Sequence, residues 1–241
     1  MTMIDSNLQG VRARIVRACL AAGRAPDAVA LLAVSKTFGA GAVREAALAG
    51  QRRFGENYIQ EAVEKMAQVA ALGLPQPLEW HCIGPVQSNK TRLVAEHFDW
   101  MHTLDRLKTA QRLSDQRPAH LPPLQVCIQV NIDGGSTKSG VAPGEALQLA
   151  RAVAQLPRLR LRGLMSIPDE APDREVQLAA HLRVRQLFDA LREQGGAGFE
   201  AFDTLSLGMT GDLEAAVAAG STLVRVGSGI FGARQYGARP A

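Results

Sequence analysis

Aromatic side chains are scarce, 5% of the 241 residues, with two tryptophans and two tyrosines. The net charge is +4, yet the basic residues are scattered and form no tract interleaved with aromatics. Nucleic-acid binding is therefore disfavoured. Cysteine is equally sparse. Cys19, Cys82 and Cys127 stand far apart in apolar surroundings, with no CxxC pair or Cys/His cluster. Neither a metal site nor a disulfide framework is implied, and the three read as small core residues in a reducing compartment. No apolar run approaches the ~18 residues of a membrane span. Met1–Gly10 also lacks the apolar core of a secretion signal. The expectation is a cytoplasmic protein with no membrane or nucleic-acid partner, and nothing demands more than a monomer.

Hydrophobic residues make up 46% and charged residues 21%, enough to bury a sizeable core. An opening helix, Ile4–Ala22, stops at Gly23. Eight strand candidates follow: Ala28–Ser35, Arg53–Glu56, Glu79–Ile83, Trp100–Thr103, Leu124–Asn131, Leu161–Ser166, Thr204–Leu207 and Thr222–Val226. Helical stretches alternate with them, clearest at Ala40–Ala49, Tyr58–Leu72, Pro143–Gln155, Asp173–Gln194 and Leu213–Ala219. There is no GxGxxG after the first strand, which argues against an open doubly wound sheet. There is no composition shift, long linker or repeat either. The pattern predicts one α/β domain over residues 1–241, a single (β/α)8 TIM barrel with an extra N-terminal helix.

In such a barrel the chemistry lies at the carboxyl ends of the strands. The first strand delivers Lys36 there, and a partly desolvated lysine near other cations is a good Schiff-base former. By itself a strand-end lysine more often just reaches solvent. The seventh strand ends in Ser206, Gly208 and Thr210, ahead of Asp212, which is placed to cap the next helix. The eighth ends in Gly227, Ser228 and Gly229. Glycines and hydroxyls in these two loops suit a phosphate, though they also suit ordinary turns. Arg225 shares a strand face with Leu223 and Gly227. Pointing inward it would need a partner, either Glu56 in an ion pair or a ring nitrogen of a ligand. An aldehyde site, a phosphate site and a donor to a heteroaromatic nitrogen together describe pyridoxal 5′-phosphate (PLP).

At these residues the chain resembles the pyridoxal phosphate homeostasis protein family, itself similar to the alanine racemase N-terminal barrel. The matching segments run from AVSKT (Ala33–Thr37), FGENYIQEA (Phe54–Ala62) and WHCIGPVQSNK (Trp80–Lys90) through VNI (Val130–Ile132) and KSG (Lys138–Gly140). They continue with LRGLMSIP (Leu161–Pro168), LSLGMTGD (Leu205–Asp212) and VRVGSGIFGAR (Val224–Arg234). The resemblance implies Lys36 as the internal aldimine, Asn57 near the cofactor ring and Arg225 at the pyridine nitrogen. It also implies Ser206, Gly227 and Ser228 around the phosphate, with Thr210 exchanging one hydroxyl residue for another. Cys82 stands at a commonly aromatic position of the family. His81, a lone histidine amid core residues, is expected to pack in the barrel wall. Asn89 reads as a loop contact, Lys90 as a solvated charge and the acids and arginines of Asp173–Glu193 as a solvated face.

Three functions fit this pattern: a PLP carrier, a racemase-like amino-acid enzyme, and a Schiff-base aldolase without cofactor. A racemase needs a second acid/base on the other ring face, and the only tyrosines are Tyr58 and Tyr236. A guanidinium at the pyridine nitrogen also weakens the ring as an electron sink. The aldolase lacks an acid/base partner beside Lys36 and leaves Arg225 unexplained. The expectation is a non-catalytic carrier in vitamin B6 homeostasis, with PLP-dependent apo-enzymes as recipients.

Overall fold

Eight short parallel strands close on themselves in sequence order in the computed structural model, which describes residues 2–232. Tyr236 and the last residues of the Val224–Arg234 motif lie outside the described residues. The strands are β1 (Ala30–Val34), β2 (Arg53–Glu56), β3 (Glu79–Cys82), β4 (Trp100–Leu104), β5 (Leu124–Gln129), β6 (Leu159–Met165), β7 (Thr204–Ser206) and β8 (Leu223–Val226). Closure is made by β1 against β8, where Leu32 pairs with Arg225 and Ala33 with Val226. The helices are α1 (Met3–Ala21), α2 (Ala40–Leu48), α3 (Ile59–Ala71), α4 (Thr91–His97), α5 (Leu107–Gln116), α6 (Ala146–Ala154), α7 (Arg174–Gln194), α8 (Leu213–Ala218) and α9 (Ser228–Phe231). Strands covered on both faces read as continuous apolar runs, and β1, ALLAV, is of this kind.

Side-chain alternation sorts the strands into two layers. Phe54, Trp80, Cys82 and Met101 join the large core beneath the helices. Trp100, Cys127 and Met165 form a separate cluster on the opposite, inward face. The cysteines are buried and unpaired, as small core residues should be. The N-terminal helix α1 is pinned across the closure by Arg14, whose Nε and NH2 donate to the two Glu214 oxygens at 2.9 and 2.8 Å. Asn7 Nδ2 adds a bond to the Ile230 carbonyl at 3.0 Å.

Strand ends differ from the sequence reading by a residue or two. Ala28 donates its N–H to the Ala25 carbonyl in a turn, so β1 begins at Ala30. Strand β6 begins early, at Leu159, because Leu159 and Arg160 already pair with Leu124 and Gln125. Helices α4 and α5 carry weak apolar signals. The buried face of α5 is Thr109, Ala110, Leu113 and Ser114, small and hydroxyl residues for the most part.

Candidate functional site

A cavity of about 340 Å³ opens at the carboxyl ends of the strands. Lys36, Asn57, Thr210, Arg225, Gly227 and Ser228 all line it, so six of the seven expected site residues converge there. Lys36 leaves β1 half-buried, followed by Thr37 at φ 71°. A β-branched residue in the left-handed region is rare and costs about 1–3 kcal/mol. The turn is closed by the Phe38 N–H on the Ser35 carbonyl at 3.0 Å.

Beneath Lys36 lies a buried ion pair that the sequence did not disclose. Lys65 Nζ donates to Glu56 Oε1 at 2.7 Å and to the Ser35 carbonyl at 2.9 Å. The Ser35 hydroxyl donates to the same Glu56 oxygen at 2.6 Å. Burial pushes the Glu56 carboxyl above its ordinary value, against the pull of Lys65. Glu56 is thus committed to Lys65 and is not the partner of Arg225.

Arg225 is 5% exposed and held by three bonds. NH1 donates to the Ser206 carbonyl at 2.6 Å and the Ser206 hydroxyl at 2.8 Å, and NH2 to the Ser166 carbonyl at 3.0 Å. Nε takes no part in this set. Burial pushes the guanidinium down to about 10, so it stays charged at neutral pH. Ser206 corrects an expectation. It does not line the cavity but lies fully buried behind Arg225, its hydroxyl occupied by Arg225 and His102.

The two loops meet where Ser228 Oγ donates to Thr210 Oγ1 at 3.3 Å. Glycine at 229 permits the approach, since a Cβ there would sit 3.0 Å from Val226 Cγ1 and 3.3 Å from Thr210 Cγ2. Asp212 stands at the start of α8 but does not cap it. Its carboxylate accepts the Met209 N–H at 2.6 Å and the His181 Nε2–H at 2.8 Å, which ties the β7 loop to α7. The loop is braced by the helix beside it instead.

Asn57 Oδ1 is buried and has no hydrogen-bond partner among the described residues. A buried acceptor left open costs about 1–3 kcal/mol, and this one is at the cavity wall, where a ligand's donor would satisfy it. Lys90 bonds Gln60 Oε1 at 3.2 Å and, with Asn89, is not part of the lining. His81 is built into the barrel by β3, as expected, and does not line the cavity. It is fully buried on the inward face with its ring nitrogens 2.8 Å from His102 Nε2 and 2.8 Å from Glu79 Oε1. His102 was missed; it lies two residues after Trp100, and inward alternation along β4 would have set it beside His81.

The model of the alanine racemase N-terminal domain family matches residues 7–235. The chain is 57% identical over 238 residues to a pyridoxal phosphate homeostasis protein of Pseudomonas aeruginosa, with 99% of each covered. It is 55% identical over 240 residues to that of Escherichia coli K12, covering 98% of this chain and 99% of the other. Among solved structures, PipY of Synechococcus elongatus PCC7942 with PLP bound matches at a TM-score of 0.82 and 34% identity, covering 95% of this chain and 100% of PipY. A barrel of the alanine racemase N-terminal kind and relatives of this identity over nearly the full length place the chain in the pyridoxal phosphate homeostasis protein family.

Proposed function

We propose that this protein binds PLP in the carboxyl-end cavity, covalently through Lys36, and acts in the cytoplasm as a monomeric carrier or buffer. It would keep the free aldehyde low and pass the cofactor to PLP-dependent apo-enzymes. The observation that carries this reading is the gathering of a lysine, a guanidinium and two hydroxyl-bearing loops around one cavity. PLP, when bound, supplies an aldehyde that condenses reversibly with an amine.

Each lining residue has a job in that reading. Lys36 attaches the ligand and releases it by exchange with another amine. Thr210, Ser228 and the backbone at Gly227 hold the phosphate. Asn57 Oδ1 accepts from a polar group on the ring. Arg225, anchored through NH1 and NH2, offers Nε to the ring nitrogen and, being a permanent cation, keeps it unprotonated. Amino-acid chemistry needs a strong electron sink and a tuned acid/base opposite the lysine. Among the described residues, the remaining titratable side chain of the lining is Glu170, an exposed loop carboxylate. These features favour a carrier over a racemase.

The test is borohydride reduction of the PLP-loaded protein followed by peptide mass spectrometry. A pyridoxyl adduct on Lys36, lost in Lys36→Ala, is expected; an adduct elsewhere with Lys36 unmodified sinks the assignment. Alpha-proton exchange of a panel of amino acids in deuterated water, followed by NMR, separates carrier from enzyme. Exchange at several turnovers per second would overturn the carrier.

A further inference from the structure

The barrel interior holds a continuous hydrogen-bonded line of side chains that ligand contact does not require. It starts at Glu79, in a cleft of about 540 Å³ at the amino-terminal mouth that Trp100 and Arg162 also line. Glu79 Oε1 is 2.8 Å from His81 Nε2, and His81 Nδ1 is 2.8 Å from His102 Nε2. His102 Nδ1 is 3.0 Å from the Ser206 hydroxyl, which in turn takes the Arg225 bond at 2.8 Å. His81, His102 and Ser206 are wholly buried. Trp100 stacks on His81 at 5.2 Å and Arg162 covers Trp100 at 4.7 Å, closing the line from the side.

The two ends decide where every proton sits. A guanidinium only donates and a carboxylate only accepts. Arg225 therefore donates to Ser206 Oγ, and the Ser206 hydroxyl donates to His102 Nδ1. His102 Nε2–H then donates to His81 Nδ1, and His81 Nε2–H to Glu79. Both rings are neutral Nε2–H tautomers. The reverse order would set a bare His81 nitrogen against the carboxylate or demand an added proton. Burial opposes that proton, holding His102 well below its ordinary value and His81 below it despite Glu79.

We propose that Glu79, His81 and His102 are positioning residues for Arg225, carrying the charge of Glu79 from the amino-terminal mouth to the donor at the ring end of the cofactor cavity. Among the described residues Arg225 touches no carboxylate; its direct acceptors there are two carbonyls and a hydroxyl. Because Ser206 must spend its proton on His102, its lone pair is fixed towards Arg225. The guanidinium is thereby locked and its charge partly offset through a polarised line. Other titratable groups face this line. Arg53 pairs with Glu79 at 2.9 Å, Asp99 acts on His81 and Asp212 on Arg225, while burial pushes the neighbouring Cys127 thiol up to about 12 and keeps it neutral. What the line does for the ligand rests on the PLP reading; its proton order does not.

Nitrogen-15 NMR of the histidine- and arginine-labelled protein without ligand tests the order directly. At about pH 7.5 both rings are expected as neutral Nε2–H tautomers. A protonated Nδ1 on either ring overturns the proposal. In Glu79→Gln, the Arg225 guanidinium protons should exchange with water about ten-fold faster, the loss of one charge-assisted bond; an unchanged rate also overturns it. On the PLP-loaded protein, the absorbance of the bound cofactor is titrated with pH in His102→Gln and Glu79→Gln. A less compensated cation disfavours protonation nearby, so the midpoint should fall, by about one pH unit in His102→Gln and by less in Glu79→Gln. Borohydride trapping at Lys36 should persist in both. Identical midpoints in folded variants overturn the proposal. Should His102→Gln fail to fold, Glu79→Gln at the mouth decides. A wild-type protein that takes up no PLP refutes the proposed function instead, and the NMR result alone then judges the line.

Discussion

Gly84 and Asn57 approach more closely than any side chain at position 84 would allow. A Cβ built on Gly84 overlaps the Asn57 carbonyl oxygen and comes within 2.7 Å of its Cα. The β3 loop thereby presses on the residue that presents the open Oδ1 acceptor to the cavity. Gly84→Ala must push the Asn57 backbone aside. Overpacking of this kind costs about 1–3 kcal/mol, and part of it should appear as about ten-fold weaker PLP binding. Urea unfolding and a PLP titration read the two losses. Unchanged affinity in a destabilised protein would show that Asn57 does not contact the ligand.

The hydroxyl pair at Thr210 and Ser228 makes a prediction about the ligand. Bonds to a charged acceptor contribute about 1.5–3 kcal/mol each, so pyridoxal without its phosphate should bind at least about 100-fold more weakly. Thr210→Val with Ser228→Ala should narrow that gap by weakening PLP and leaving pyridoxal alone. Equal affinity of the wild type for the two compounds would place the phosphate elsewhere.

How much of this was legible beforehand follows from what alternation and turn chemistry record. Lys36 at a strand end, the paired glycine–hydroxyl loops and inward-facing Arg225 were all readable, because each is local to one strand and its loop. Partners across the barrel were not. Arg225 was offered Glu56, yet Glu56 faces Lys65 on α3, and nothing in a one-dimensional pattern marks a single helical lysine as buried. Ser206 lay in the right motif but one layer too deep, since β7 ends at that residue with its side chain inside. His81 looked isolated because its partner, His102, is 21 residues away and becomes adjacent only when β3 and β4 pair.

The Glu56–Lys65 pair predicts a non-additive stability pattern. Lys65→Met leaves the Glu56 carboxylate buried beside Ser35 alone, and breaking such a pair costs about 3–5 kcal/mol. Adding Glu56→Gln removes the stranded charge, so the double variant should be more stable than Lys65→Met. Chemical denaturation of the four proteins of this cycle measures the coupling. A Lys65→Met cost below about 1 kcal/mol would mean that water or a shifted backbone reaches Glu56.

The two interior histidines predict how stability responds to acid. Burial lowers both His81 and His102 from their ordinary 6.5. Above that value neither the folded nor the unfolded chain carries these protons, and stability is full. As the pH falls below it, the unfolded chain binds protons that the folded barrel refuses. Stability then drops by about 1.4 kcal/mol per pH unit for each histidine, until the folded-state value is reached. Glu79 adds a later loss. Burial raises its pKa, but the bonds from His81 and Arg53 outweigh burial and hold it at about 2. Its contribution is present above the ordinary 4.5 and fades below it. Urea unfolding at a series of pH values between about 7.5 and 5 should show the first slope. His102→Gln should remove about half of it, because one buried titrating ring is gone. A wild-type stability that stays flat across that range would mean that the interior histidines accept protons in place, and the neutral line through the barrel would be wrong.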